Sequence, residues 1–152
     1  MKGFIEARII SVNYNGVIRA NYKPNIELAE KMLLPEPQVE CPVYNHFMPG
    51  IYIREMHIPK GTLVIGHEHI VESTNVFLKG KLKLLQEDGS WQELEAPMMF
   101  KGKLGRKVAI ALEDCVWQNI FATDETDIEV LESTLIRKSV AYLEHTKCLL
   151  AQ

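Results

Sequence analysis

The sequence predicts a mainly β fold: one domain of short antiparallel strands closed into a sandwich or barrel, with an N-terminal arm and a C-terminal helix. Three observations carry that expectation. Between Pro42 and Thr123, Pro49-Gly50, Pro59-Lys60-Gly61, Gly80, Asp88-Gly89, Pro97, Gly102 and Gly105 separate short apolar-rich runs at regular spacing. The helical segments that parallel βαβ units require are missing from that stretch, and a 3.6-residue period emerges only outside it. The chain has 152 residues, 47% of them hydrophobic and 24% charged, which suits a single domain with its own core.

The elements follow in order. Residues 4–11 and 16–21 alternate around Asn15-Gly16, a hairpin turn signal. Residues 26–34 place Ile26, Ala29 and Leu33 at helical spacing before Pro35 and Pro37 end the run, so residues 1–40 read as an arm with a short helix. The barrel spans 42–123, with strands expected at 51–58, 62–65, 74–79, 81–86, 91–94, 107–113 and 116–122. In the closing segment, 124–146, Ile128, Leu131, Leu135 and Ile136 follow the capping-box string Thr126-Asp127-Ile128-Glu129, which predicts one helix over 127–142.

Charge and cysteine usage exclude several classes. Seventeen Lys+Arg against twenty Asp+Glu leave a formal charge of −3, with no global attraction to nucleic acid or an acidic membrane. The longest apolar run, 108–112, falls far short of the roughly 20 residues of a membrane helix, and the start MKGFIEARII lacks a signal peptide's hydrophobic stretch. Cys41, Cys115 and Cys148 have neither CxxC spacing nor an even count, so no disulfide framework or zinc finger is expected and a cytoplasmic location fits. Glu113 and Asp114 beside Cys115 raise its thiol pKa and argue against a nucleophile. Lys79, Lys81 and Lys83, and the cluster Lys101, Lys103, Arg106 and Lys107, read as solvated surface or edge protection. Residues 102–107 lack the phosphate-loop frame.

The chemistry-bearing string runs from Gly61 to Gly80. His67 and His69, two apart on an extended chain, project to one side and can converge on one cation. Ser73 and Asn75 share that parity, while Trp117, Asn119 and Phe121 share a face of another strand. Together they describe a pocket with aromatic walls and a few polar groups, although Trp117 and Phe121 could equally be core and the histidines neutral packing residues. Arg54 and Glu55 must point to opposite faces, which makes Arg54 a candidate for a charged ligand. A metal site would need a third donor from Ser73, Glu72, His57 or His46.

Gly61, His67, His69 and Gly80 resemble the first motif of the cupin superfamily, a Gly, five residues, His-x-His, three or four residues, Glu, six residues and Gly. Ser73 occupies the acidic position with Glu72 one residue away, and residues 98–106 hold no histidine for the second motif. A wider stretch, about 38–135, resembles uncharacterised cupin-like proteins of bacteriophages and prophages through Gln38-Val39-Glu40-Cys41-Pro42-Val43, His46-Phe47-Met48-Pro49-Gly50-Ile51 and, most specifically, the string from Trp117 to Asp127. The resemblance implies a single cupin-type jelly-roll barrel across 1–152, phage-encoded and acting in the host cytoplasm. It also implies a divalent transition metal at His67 and His69 as the one cofactor to consider.

Three functions stand open: a small-molecule binder using Arg54, His67, His69, Ser73, Asn75, Trp117 and Asn119; a metal-dependent cupin enzyme of dioxygenase or isomerase type; and a phage assembly or virion-associated protein. The shortage of metal donors favours the binder, with modest metal affinity. A homodimer or higher homo-oligomer is expected, because the barrel does not need its arm or its C-terminal helix to close.

Overall fold

The computed structural model describes residues 24–152. The hairpin expected within 4–21 lies outside them. Helix α1 (Ile26–Leu33) starts where the Asn25 side chain accepts the Leu28 N–H at 2.9 Å, and it buries Ala29 against Val108. Ten strands follow: β1 (Val43–Met48), β2 (Ile51–Ile58), β3 (Leu63–Ile65), β4 (Glu68–His69), β5 (Ser73–Lys79), β6 (Lys81–Leu85), β7 (Trp91–Glu95), β8 (Met98–Gly102), β9 (Val108–Ala111) and β10 (Cys115–Ala122). The predicted runs lie where the punctuation put them. Strands β1, β4 and β8 are additions, and Met98-Met99-Phe100-Lys101-Gly102 carried no apolar alternation to announce β8.

Nine of these strands form two antiparallel sheets, ordered β1-β2-β10-β5-β8 and β3-β9-β6-β7, while β4 belongs to a separate two-stranded ladder. Their pairings are nested: β2 with β10, β3 with β9, β5 with β8, β6 with β7. The chain is therefore one long hairpin, folded at the turn around Asp88 and Gly89, whose successive rungs alternate between the sheets. That arrangement is a jelly roll. Strand β6 lies inside its sheet, so Lys81 and Lys83 do not guard an edge; in the ladder they stand opposite Glu95 and Glu93 of β7.

The core lies between the sheets around Ile58, Phe77, Leu82, Leu94, Ala111, Cys115 and Trp117. Gly80 is essential to one corner of it. Its φ of +95° is in the left-handed region, and an added Cβ would collide with the Asp114 carbonyl oxygen and the Cys115 sulfur. Gly80→Ala is expected to cost about 2–3 kcal/mol in chemical denaturation; an unchanged midpoint would show that the β5–β6 corner yields.

The C-terminal segment departs from the single helix predicted over 127–142. Helix α2 (Ile128–Leu135) is capped by Asp127 rather than Thr126, the Asp127 carboxylate accepting the Glu129 and Val130 amides. The chain then extends as β11 (Ile136–Arg137), and Ser139 caps a new helix, α3 (Val140–Leu150). Strand β11 pairs with β4, Ile136 opposite His69 and Arg137 opposite Glu68, giving β4 a backbone partner that a continuous helix would deny it. Buried Tyr52 and Phe121 of the barrel pack with Leu131 of α2, so the segment is part of the barrel wall. Among the described residues no helix is long and apolar enough to cross a membrane.

Candidate functional site

On the inner face of the five-stranded sheet, strand register stacks side chains into three rungs. Val43, Met56, Trp117 and Phe77 form an apolar one, and Phe47, Tyr52 and Phe121 an aromatic one. Between them runs a polar rung, Asn45, Arg54, Asn119 and Asn75. The opposite wall comes from the β3–β4 segment with His67 and His69, from β6 with Leu82 and Leu84, and from Lys107 and Ala109 at β9. Helix α2 and the start of α3 close the end with Leu131, Glu132, Lys138 and Tyr142. The cavity they line, partly open to solvent, measures about 510 Å³.

The histidine segment is held from several sides. The His69 N–H donates to Gly105 O at 2.8 Å, and the Gly66 N–H to Lys107 O at 2.9 Å. Arg106 Nε donates to Gly66 O at 2.9 Å, while its guanidinium binds the Glu30 carboxylate, which also accepts from Ser139 Oγ. Burial opposes ionisation of Glu30, yet the bonds from Arg106 and Ser139 hold its carboxyl below the usual range. Arg106 and Glu30 therefore position the histidines without touching the cavity contents.

His67 meets Tyr142 edge-on at 4.7 Å, and His69 stacks on Phe121 at 6.1 Å. Both Nδ1 atoms are buried and lack a hydrogen-bond partner among the described residues. Burial, then the charges of Lys107 and Arg54, lowers His69 from 6.5 to about 4; burial, then Lys138 and Arg106, lowers His67. Both imidazoles are neutral at pH 7. Because the unfolded chain takes up a proton near 6.5 and folded His69 does not until about 4, its contribution to stability is present above pH 6.5 and is lost as pH falls from there through about 4. Thermal melts across that window are expected to show the loss, and His69→Gln to flatten it; an equally steep variant would place the titration elsewhere.

Arg54, His67, His69, Trp117 and Asn119 are brought together around the cavity. Ser73 and Asn75 are not in its lining. The chain leaves β4 and joins the other sheet at β5, so the period-2 argument fails across residues 70–72. Asn75 is fully buried at the end of the polar rung, accepting a hydrogen bond from Asn119 Nδ2, and both Asn75 and Ser73 pack against Gly102. Trp117 and Phe121 are core and cavity wall at once.

Glu55, facing outward, takes up His57 at 2.8 Å, Gln118 at 2.7 Å and His46 at 3.8 Å. Both histidines offered as a third metal donor are thus on the wrong side of β2. Glu72 is at the surface with Lys101 at 2.9 Å. The expectation that Arg106 and Lys107 are solvated surface is overturned: Arg106 is buried against Glu30, and Lys107 Nζ is buried in the cavity wall without a hydrogen-bond partner among the described residues. A sequence signal for Lys107 existed in Lys107-Val108-Ala109-Ile110-Ala111, where small inward-facing alanines leave room for a long side chain. Cys115 is buried, and burial raises its thiol pKa more than Glu113 and Asp114 do.

The donor set does not fit a first-row metal. Among the described residues no third His, Cys, Asp or Glu groups with His67 and His69, and the nearby charges that act on His69 are cationic.

No family model and no curated protein matches this sequence. Solved structures do. A conserved protein with a double-stranded β-helix domain from Klebsiella pneumoniae is similar at 16% identity and TM-score 0.48, over 60% of this chain and 84% of its own. An RmlC-like cupin family protein with a double-stranded β-helix fold from Methanocaldococcus jannaschii is similar at 13% and 0.46, over 59% and 85%. A cupin-2 domain protein from Shewanella frigidimarina is similar at 15% and 0.43, over 63% and 92%. In this chain the deciding feature is the nested pairing, with rungs shared between two facing sheets. The fold is a jelly roll. A jelly-roll barrel accommodates many activities, so the chemistry of this one is read from its own cavity.

Proposed function

We propose that this cupin barrel binds a small organic molecule in its cavity without the help of a metal. The observation that supports the reading is the 510 Å³ cavity itself, walled by aromatic and aliphatic rungs with a single polar rung and two neutral imidazoles set among them. Asn119 is anchored by Asn75, which presents it in one orientation and favours selectivity over adaptable packing. The metal-dependent enzyme reading is the weaker one, because among the described residues no third donor groups with His67 and His69. The resemblance of residues 38–135 to phage and prophage proteins supports an accessory role in a phage setting.

The test is protein-observed NMR with a fragment library, run with and without zinc, manganese or ferrous ion. Binders are expected to shift the Trp117 indole and the His67 and His69 ring signals, metals are expected to change neither the shifts nor the melting temperature, and Ala109→Leu, which fills the cavity, is expected to reduce binding. A folded protein whose cavity signals respond to no fragment overturns the reading. So does near-stoichiometric metal that survives dialysis and is lost in His69→Ala.

A further inference from the structure

We infer that the ligand is an organic anion, a carboxylate with an apolar body, whose head group is taken by Arg54 and Lys107 and whose body lies on Trp117, Met56 and Leu82. The inference rests on the cavity being the binding site. Arg54 and Lys107 face the same space, and no carboxylate among the described residues forms an ion pair with either. The other charged pair in the wall is self-contained, Lys138 Nζ on Glu132 at 2.9 Å. His67 and His69 are neutral, so Arg54 and Lys107 remain as two positive charges without a carboxylate partner among the described residues.

Both side chains line the same cavity as His69, whose protonation their charges oppose. The buried Lys107 ammonium, without a hydrogen-bond partner among the described residues, stands in an environment that penalises its charge and lowers its pKa. A carboxylate entering the cavity supplies the missing counter-charge to the ammonium and fits the guanidinium fork. The apolar rung from Met56 to Phe77 asks for hydrocarbon beyond that head group, which sets an amphipathic acid apart from a bare inorganic anion.

Calorimetric titration of the full chain with 3-phenylpropanoate, its neutral amide, 3-phenylpropylamine and inorganic phosphate tests this. The acid is expected to bind about tenfold or more tighter than the amide, the amine and phosphate not measurably, and added salt to weaken the acid alone. In Lys107→Met and Arg54→Met the acid is expected to fall to the level of the amide. Lys107→Met should keep or raise the melting temperature, since it removes an unpaired buried cation, and Arg54→Met provides an independent reading if it does not fold. Equal binding of acid and amide, or preference for the amine, overturns the anion assignment while leaving the cavity as a binding site. Phosphate binding as tightly as the acid overturns the amphipathic part. No binding by any of the four overturns both readings.

Discussion

Glu30→Ala is expected to destabilise the protein by about 3–5 kcal/mol, the range for removing one member of a buried ion pair. The side chains of Glu30 and Arg106 are only 7% and 13% exposed, and the carboxylate joins three segments far apart in sequence: α1, the turn before β9, and the N-cap of α3. Its loss strands the Arg106 guanidinium in a buried position with one remaining bond, to Gly66 O. Ser139 still caps Tyr142, so α3 should persist while its attachment loosens. Glu30→Gln, which keeps the shape and an acceptor, is expected to lose less. Replacing both Glu30 and Arg106 with Met should recover much of the loss, because the cost comes from an uncompensated charge. Since the folded carboxyl lies below the usual value of 4.5, this stability is present at neutral pH and lost as pH falls through the folded pKa. Urea denaturation at pH 7 provides the measurement, and a change below about 1 kcal/mol would remove Glu30 from its role.

The second large effect is at Trp117. Its indole is 6% exposed, packs at 5.3 Å from Phe77 and 5.6 Å from Phe100, and turns its remaining surface to the cavity. Trp117→Ala is expected to cost about 3–5 kcal/mol, as aromatic truncation in a core does. Because the same ring floors the cavity, ligand affinity should fall with it, whereas Trp117→Phe should retain most of the stability. A nearly unchanged melting temperature for the alanine variant would make Trp117 a pocket residue alone.

Seven of the ten barrel strands were legible because glycine and proline mark their ends and apolar residues alternate within them, whereas β1, β4 and β8 were not. His67, His69, Arg54 and Asn119 were legible because period-2 parity holds along one strand. Parity says nothing across a crossover, and for that reason Ser73 and Asn75 were grouped with the histidines although the chain changes sheets between residues 69 and 73. Lys107 was hidden by neighbouring surface lysines, and the Glu30–Arg106 pair by a separation of 76 residues that no local pattern reports. The break between α2 and α3 escaped because Ile136 continues the helical spacing, while its partner in β11 pairing, His69, is distant in the chain.

The β11–β4 ladder also makes the wall that closes the cavity into its timekeeper. The Ile70 N–H donates to Leu135 O at 3.1 Å, beside the ladder in which Ile136 faces His69. When α2 and β11 lift from the barrel, that amide loses its acceptor and becomes open to solvent. Deuterium uptake at Ile70 is therefore expected to report how readily this wall opens.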